Sequence, residues 1–278
     1  MRVLAGIALM VASLAACPVE AGSTVAENIA VKEAEARGAL MYAYDQAAWH
    51  SSDRFTAEVA ARGLTDEDLG KKGVRGYVVE PSSQGHLLVT FYSETRIGRF
   101  AFARYRMAGS KVAEGGLVAS DEDAKLSITA TRLIDARDAA IKAMKELGHG
   151  LCSKSSPNTL VLPPDASGNI SSYIMTSTTV DGIYPAGGHY RYDFDAKGQR
   201  VADRRFMKSC FDVDSRKKAG SAPLAVFVTH LLDAQPTEVH VFVSLNAPVR
   251  LFVGTVSNRR VWKVEAGRIE YVQSLSKD

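Results

Sequence analysis

The chain has 278 residues, of which 46% are hydrophobic and 23% are charged, and its formal net charge is +3. This composition is typical of a globular protein and excludes a disordered chain, which needs low hydrophobicity and high net charge. Because 31 acidic residues are interspersed among 34 basic ones, the sequence lacks the concentrated positive charge of nucleic-acid-binding proteins. We therefore expect no nucleic-acid partner.

Residues 1–16 have the organisation of a signal peptide. A single basic residue, Arg2, precedes an apolar run of about 14 residues, which is too short to span a bilayer as a helix. The four residues that follow its core, Leu14-Ala15-Ala16-Cys17, resemble the lipobox of bacterial lipoproteins. This resemblance implies cleavage before Cys17, a diacylglycerol on its sulfur, and attachment to a membrane through the lipid.

Two other fates of this segment stay open. The small residues of Val19-Glu20-Ala21 also suit ordinary cleavage after Ala21, which would discard Cys17 and release a soluble periplasmic or secreted protein. A third alternative is a buried helix in a cytoplasmic protein. On the lipoprotein interpretation, residues 17–24 form a tether, and the protein lies in the cell envelope facing the periplasm.

Residues 25–278 are predicted to form one exported α+β domain, and a proline-rich stretch at 155–169 could subdivide it. Apolar residues at helical spacing predict a helix over Val25–Arg62, ended by Gly63. Ser51, Ser52 and Asp53 offer capping side chains in its middle, so two successive helices are an alternative. A short turn over 65–70 would be capped by Thr65, and a long helix is predicted over 121–147 with Ser120 as its cap.

The remaining apolar segments indicate strands, because they are short, rich in β-branched and aromatic residues, and separated by turn-forming residues. Three occur between residues 73 and 108, and eight more follow residue 170. Short turns such as 195–198 favour antiparallel hairpins over βαβ crossovers. The predicted fold is therefore mostly antiparallel β-sheet, in hairpins or a meander, packed by one or two long helices.

Sequence motifs for known chemistry are missing. The chain has no Gly-x-Ser-x-Gly or His-Glu-x-x-His pattern. The segment Asp193–Gly198 resembles the start of a calcium loop but lacks its later ligands, so we interpret it as a hairpin turn. His189 and Asp193 lie about 13 Å apart if both are on one strand, too far to chelate one ion. We predict no metal and no cofactor.

The strongest candidate for chemistry is the pair His230 and His240. If 224–232 and 238–245 form a hairpin whose loop is centred on Gln235, the two side chains face each other at about 5 Å. Alternation along the second strand would turn His240 and Glu238 away from the apolar core. Two histidines do not complete a zinc site, so structural, binding and catalytic roles all stay open.

The number of cysteines left after processing predicts a disulfide between Cys152 and Cys210. The chain has three cysteines, and Cys17 is either acylated or removed under both cleavage routes. The other two remain in an oxidising compartment, where neighbouring thiols are normally joined. The alternative is that both are buried and unpaired. The closed loop of about 59 residues would contribute roughly 4 kcal/mol through the chain-entropy model.

These observations favour a non-enzymatic protein of the cell envelope that binds a partner, such as an envelope protein or a glycan. The alternatives are an envelope hydrolase and a metal-binding protein, each with a site near His230 and His240. A deep cleft that holds both histidines and a carboxylate would favour the enzyme, whereas a filled surface there would not.

Overall fold

A computed structural model describes residues 24–216 and 225–276 and confirms the predicted fold class, an α+β protein built mostly of antiparallel sheet. Cys17 and the rest of the predicted leader lie outside the described residues. The helices are α1 (Val25–Ala61), α2 (Asp66–Lys71), α3 (Ile128–Glu146) and α4 (Glu238–Asn246). No helix among the described residues is both long enough and apolar enough to cross a membrane.

The strands form three four-stranded sheets and one two-stranded sheet within the described residues. The first sheet is the meander β1 (Val74–Pro81), β2 (Leu87–Thr95), β3 (Gly98–Ala108) and β4 (Lys111–Leu117). The second, in the order β5-β6-β8-β9, consists of β5 (Asn158–Val161), β6 (Ile170–Met175), β8 (Tyr190–Phe194) and β9 (Arg200–Arg205). The third is β11 (Ala225–His230), β12 (Arg250–Thr255), β13 (Arg260–Glu265) and β14 (Arg268–Ser274), and β7 (Ile183–Pro185) pairs with β10 (Asp212–Asp214).

Helix α1 is continuous, so the alternative of two successive helices is wrong. Ser51 is fully buried and its hydroxyl donates to Met107 Sδ at 3.2 Å instead of capping a new helix. The buried face of α1 packs on the first sheet, where the Phe55 and Phe91 rings stack with centroids 4.3 Å apart. Gly63 ends the helix at φ +68°, a conformation that suits glycine.

The predicted caps were right for α2 and wrong for α3. The Thr65 hydroxyl accepts from the backbone N–H of Asp68 at the start of α2. Helix α3 begins at Ile128, seven residues after the predicted start, and its cap is Ser127, whose hydroxyl accepts from Ala130 N. Ser120 caps a separate turn through Asp123, and the backbone at Ala124 bonds to Ala101 of the first sheet.

The predicted hairpin of 224–232 with 238–245 is also wrong. Residues 238–246 form helix α4, and β11 pairs in parallel with β12. Parallel neighbours need a crossover, which α4 supplies as a βαβ unit. The nine-residue helix is buried around most of its circumference, so its sequence carries no polar face to distinguish it from a buried strand.

The stretch 155–169 contains strand β5, which pairs with β6 and brings Leu160 and Val161 into the interior. Two apolar clusters include residues from both sides of this stretch. In the smaller cluster, Leu133 and Ile134 of α3 pack between Tyr92 of the first sheet and Ile174 of the second. Helix α3 is therefore in contact with both sheets.

Candidate functional site

A cleft of about 490 Å³ opens between helix α1, strand β1, the region around β7 and helix α4. We call it the α1 cleft. Its volume falls within the range of small-molecule binding sites. It is lined by Tyr42, Asp45, Gln46, Ala48, Trp49, Ser52, Tyr77, Asn158, Met175, Thr176, Thr178, Asp181, Gly182, Tyr184, Pro185, His189, Phe242, Val243 and Asn246.

One face of α1 supplies the longest wall of the cleft. Tyr42, Asp45, Trp49 and Ser52 follow one another at helical spacing and all line the cavity. Trp49 keeps 57% of its surface exposed although it is large and apolar. Further aromatic rings come from Tyr77, Tyr184 and Phe242 on other elements. The cleft thus combines aromatic surface with two carboxylates, those of Asp45 and Asp181, and several amide and hydroxyl groups.

Asp45 is the electrostatically unusual group of the cleft. Burial raises the pKa of its carboxyl from 3.8 to about 6, and a hydrogen bond from Gln46 only partly opposes this. No residue that the structure describes forms an ion pair with it. Burial, assisted by the Asp45 charge, also raises the pKa of the Tyr77 phenol to about 12. Carboxyl groups with a perturbed pKa in a cleft are concentrated at functional sites.

His189 lies at the inner end of the cleft but is occupied by the backbone. Its Nδ1 accepts from Thr176 N at 3.2 Å, and its Nε2–H donates to Pro185 O at 2.9 Å. Burial lowers the pKa of His189 to about 4, so the ring is neutral at physiological pH. Both nitrogens are therefore engaged in holding the β7–β8 connection. Asp193, four residues further on, bonds to Ser171 and Arg191.

His230 and His240 do come together, although on elements that differ from those predicted. His230 ends β11, His240 lies in the first turn of α4, and their rings meet edge to face with centroids 4.8 Å apart. Both are buried, at 0% and 3% exposure. His240 therefore packs inside the core, and the expectation that it faces away from the core is wrong.

The hydrogen bonds of the pair fasten the crossover between β11 and α4. His230 Nε2 donates to Asp233 in the connecting turn at 2.8 Å, and His240 Nδ1 accepts from Thr237 N at 3.1 Å. His230 Nδ1 and His240 Nε2 find no hydrogen-bond partner among the described residues. Neither histidine lines the α1 cleft, so the structure does not bring them together with Asp45.

Glu238 is also buried, at 4% exposure, so the expectation that it faces away from the core with His240 is wrong. It accepts from Arg191 at 2.6 Å and from the Tyr173 hydroxyl at 3.2 Å. A buried carboxylate with such partners is satisfied. This ion pair ties the first turn of α4 to strands β6 and β8, and it places α4 where Phe242 and Asn246 reach the cleft.

The disulfide between Cys152 and Cys210 is confirmed, with Cα atoms 5.5 Å apart. It joins the segment after α3 to the segment after β9. Within residues 24–216 and 225–276, no group of three or more His, Cys, Asp or Glu side chains is arranged to hold a metal ion. Cys17, the predicted lipidation site, is not among these residues.

The fold and the cleft together define an α+β protein with a cleft of about 490 Å³ beside its longest helix. Comparison with protein-family models, curated proteins and solved structures found no match for this chain.

Sequence reasoning missed the α1 cleft. The signal it could have used is the stripe of Tyr42, Asp45, Trp49 and Ser52, which runs beside the apolar stripe of the same helix. An acidic and aromatic stripe ordinarily indicates a solvated helix face. Only the strands and α4 that close over this face make it a cleft.

Proposed function

We propose that this protein is an exported, lipid-anchored protein of the cell envelope whose folded domain binds a small organic ligand in the α1 cleft without converting it. The cleft carries the binding part of the proposal. It offers a volume of about 490 Å³, a wall of aromatic rings and a partly buried carboxylate without an ion-pair partner.

Export is supported by two features that do not depend on each other. The leader ends in Leu14-Ala15-Ala16-Cys17, and the two cysteines outside it are joined to each other. Intramolecular disulfides persist in oxidising compartments such as the bacterial periplasm and are rare in the cytosol. Both features agree with a protein that acts outside the inner membrane.

Binding without conversion is favoured over catalysis by the state of the groups in the cleft. His189 has both nitrogens engaged with the backbone, so it offers no free base to activate a hydroxyl group. No hydrogen bond joins a histidine to the aliphatic hydroxyl groups of the described lining, those of Ser52, Thr176 and Thr178, and the Thr176 hydroxyl donates to Gly188 O at 3.1 Å. The histidine pair His230 and His240 is buried elsewhere.

The test uses Trp49 as a reporter. The chain has two tryptophans; Trp49 lines the cleft, whereas Trp262 is only 2% exposed. We expect the small-molecule fraction of an envelope extract to change the fluorescence of the exported, processed protein. Filling the cleft through Ser52→Tyr should abolish this response, and Thr56→Tyr, one turn along on the exposed surface of α1, should retain it. An equal response from the two variants, or none from the wild type, would contradict a binding cleft.

A further inference from the structure

The charges that line the α1 cleft all have one sign. Asp45 and Asp181 are acidic, and no lysine or arginine is found among the described residues of the lining. The chain as a whole has slightly more basic than acidic residues, 34 against 31. The negative lining is therefore a local feature of the cleft and not a consequence of the overall composition.

The Asp45 carboxyl has no positively charged partner among the described groups that surround it. The groups that act on its carboxyl are the surrounding low-dielectric protein and the amide of Gln46, and no cation is among them. Other carboxylates that are largely buried form ion pairs with an arginine. Arg260 pairs with Glu27 at 2.6 Å, and Arg191 pairs with Glu238 at the same distance. A buried carboxylate is unfavourable unless it is paired, and Asp45 lacks the partner that these two have.

Trp49 and Tyr42 flank Asp45 on the same face of α1, at four residues after and three residues before it. Side chains at these spacings are neighbours on a helix. The face of an aromatic ring attracts a cation through its quadrupole, and tryptophan does so most strongly. A carboxylate with one aromatic residue a turn before it and another a turn after it on the same helix face is suited to a positively charged organic group.

We propose that the α1 cleft binds an organic cation, whose ammonium or guanidinium group pairs with Asp45 and lies against the rings of Trp49 and Tyr42. This assignment rests on the proposed function and names its ligand class. A ligand that enters the cleft displaces water from Asp45. A neutral ligand would leave the carboxylate with less hydration and no counter-charge, and an anion would add repulsion without any basic side chain to offset it.

The test compares cations with neutral molecules of the same shape at neutral pH by isothermal titration calorimetry. The probes are N-acetylargininamide against N-acetylcitrullinamide, and choline against dimethylbutanol, its neutral carbon isostere. We expect at least one cation to bind the exported, processed protein, and its neutral isostere to bind about tenfold more weakly or not at all, because the isostere keeps the shape but lacks the positive charge that pairs with Asp45 and is attracted to the aromatic rings.

Variants separate the role of Asp45 from a general effect on the fold. Asp45→Asn should weaken binding of the cation about tenfold while leaving the neutral isostere unchanged, and Asp45→Glu should restore part of the affinity. Asp53→Asn changes an exposed carboxylate of α1 outside the cleft and should bind like the wild type. Thermal unfolding of each variant checks that it is folded.

The outcomes distinguish this inference from the proposed function. If neither cation binds, or if the neutral isosteres bind equally well, while the envelope fraction still changes Trp49 fluorescence, the cleft binds a ligand but the cation assignment is wrong. If neither the probes nor the envelope fraction produces a response, both proposals are wrong.

Discussion

His230 and His240 lie edge to face at 4.8 Å between ring centroids, and each is bonded to the connection that joins β11 to α4. Asp233 holds His230 from within the turn, and Arg204 on β9 donates to the other oxygen of Asp233 at 2.6 Å. Although burial opposes ionisation of Asp233, His230 and Arg204 outweigh it and lower the pKa of this carboxyl. The arrangement anchors the crossover to the second sheet.

The first prediction concerns acid stability. Burial, together with the neighbouring His230 and Arg204, lowers the pKa of His240 from 6.5 to about 3, and Asp233 only partly opposes this. The unfolded chain therefore binds a proton at His240 more tightly than the folded protein does. The free energy of unfolding consequently falls as the pH drops below 6.5. His240→Gln keeps an acceptor for Thr237 N but does not titrate. At a pH of about 4.5 it should be more stable than the wild type by about 2 kcal/mol.

Urea denaturation at neutral pH and at the lower pH measures this difference. At neutral pH the two proteins should be within about 1 kcal/mol of each other, because a glutamine can take the capping role. His189, whose pKa is lowered to about 4 by burial, is present in both proteins and cancels in the comparison. Equal acid sensitivity of the two proteins would show that His240 is not the group responsible.

The second prediction is that Asp45→Asn stabilises the protein at neutral pH. Burial raises the pKa of Asp45 to about 6, so the folded state binds this proton more tightly than the unfolded state. Stability therefore falls as pH rises from the ordinary value of 3.8 to about 6. Removing the carboxylate should add about 1–2 kcal/mol at neutral pH, less than the full shift implies because the side chain is partly exposed.

Denaturant unfolding against pH measures the effect of Asp45→Asn, with Asp53→Asn as the control. Of the other titratable groups that face the cleft, Tyr77 stays neutral because its pKa is raised to about 12 by burial, and His189 is neutral because burial lowers its pKa to about 4. Asp181 stands at the exposed rim. A destabilised Asn variant at neutral pH would mean that the carboxylate supports the fold, which contradicts our account of a group retained for binding.

The third prediction concerns the disulfide. Replacing Cys152 and Cys210 together by serine should lower the free energy of unfolding by about 4 kcal/mol, because the bond closes a long loop in the unfolded chain. Peptide mapping of the exported protein without reductant should recover the two cysteine peptides linked. Free thiols at both positions in the exported protein would argue against an oxidising location.

The fourth prediction concerns processing at Cys17, which lies outside the described residues. The intact mass of the membrane-bound protein should correspond to a chain that begins at Cys17 and carries added acyl groups. Cys17→Ser should block maturation at this position, because serine has no thiol to acylate. A soluble mature protein that begins at Gly22 would instead establish simple secretion.

Much of the fold could be predicted because local patterns and tertiary packing agree. The apolar stripe of α1, the meander β1–β3 and the antiparallel run of β12, β13 and β14 all follow the expected periodicities. The disulfide followed from the number of cysteines. In each of these cases the residues that indicate the element are also the ones that the element buries.

Each wrong prediction concerns a segment whose structure is decided by tertiary contacts that the local sequence does not show. The alternating valines between Glu238 and Leu245 read as a strand because β-branched residues favour strands, but burial on several sides and a cap at Thr237 stabilise a helix there. Ser120 is as good a cap as Ser127 in sequence, and pairing of the backbone near Ala124 with the first sheet decides between them. The α1 cleft could not be predicted from the sequence because the residues that line it come from distant segments of the chain.

The most direct test of the central claim is the pKa of Asp45, measured by carboxyl carbon NMR across a pH titration with and without N-acetylargininamide. In the free protein we expect a value of about 6. Binding of the cation should lower it, since a neighbouring positive charge favours the ionised form. A value near the ordinary 3.8 that does not change with the cation would contradict our account of Asp45 as an unpaired carboxylate that awaits a positively charged ligand.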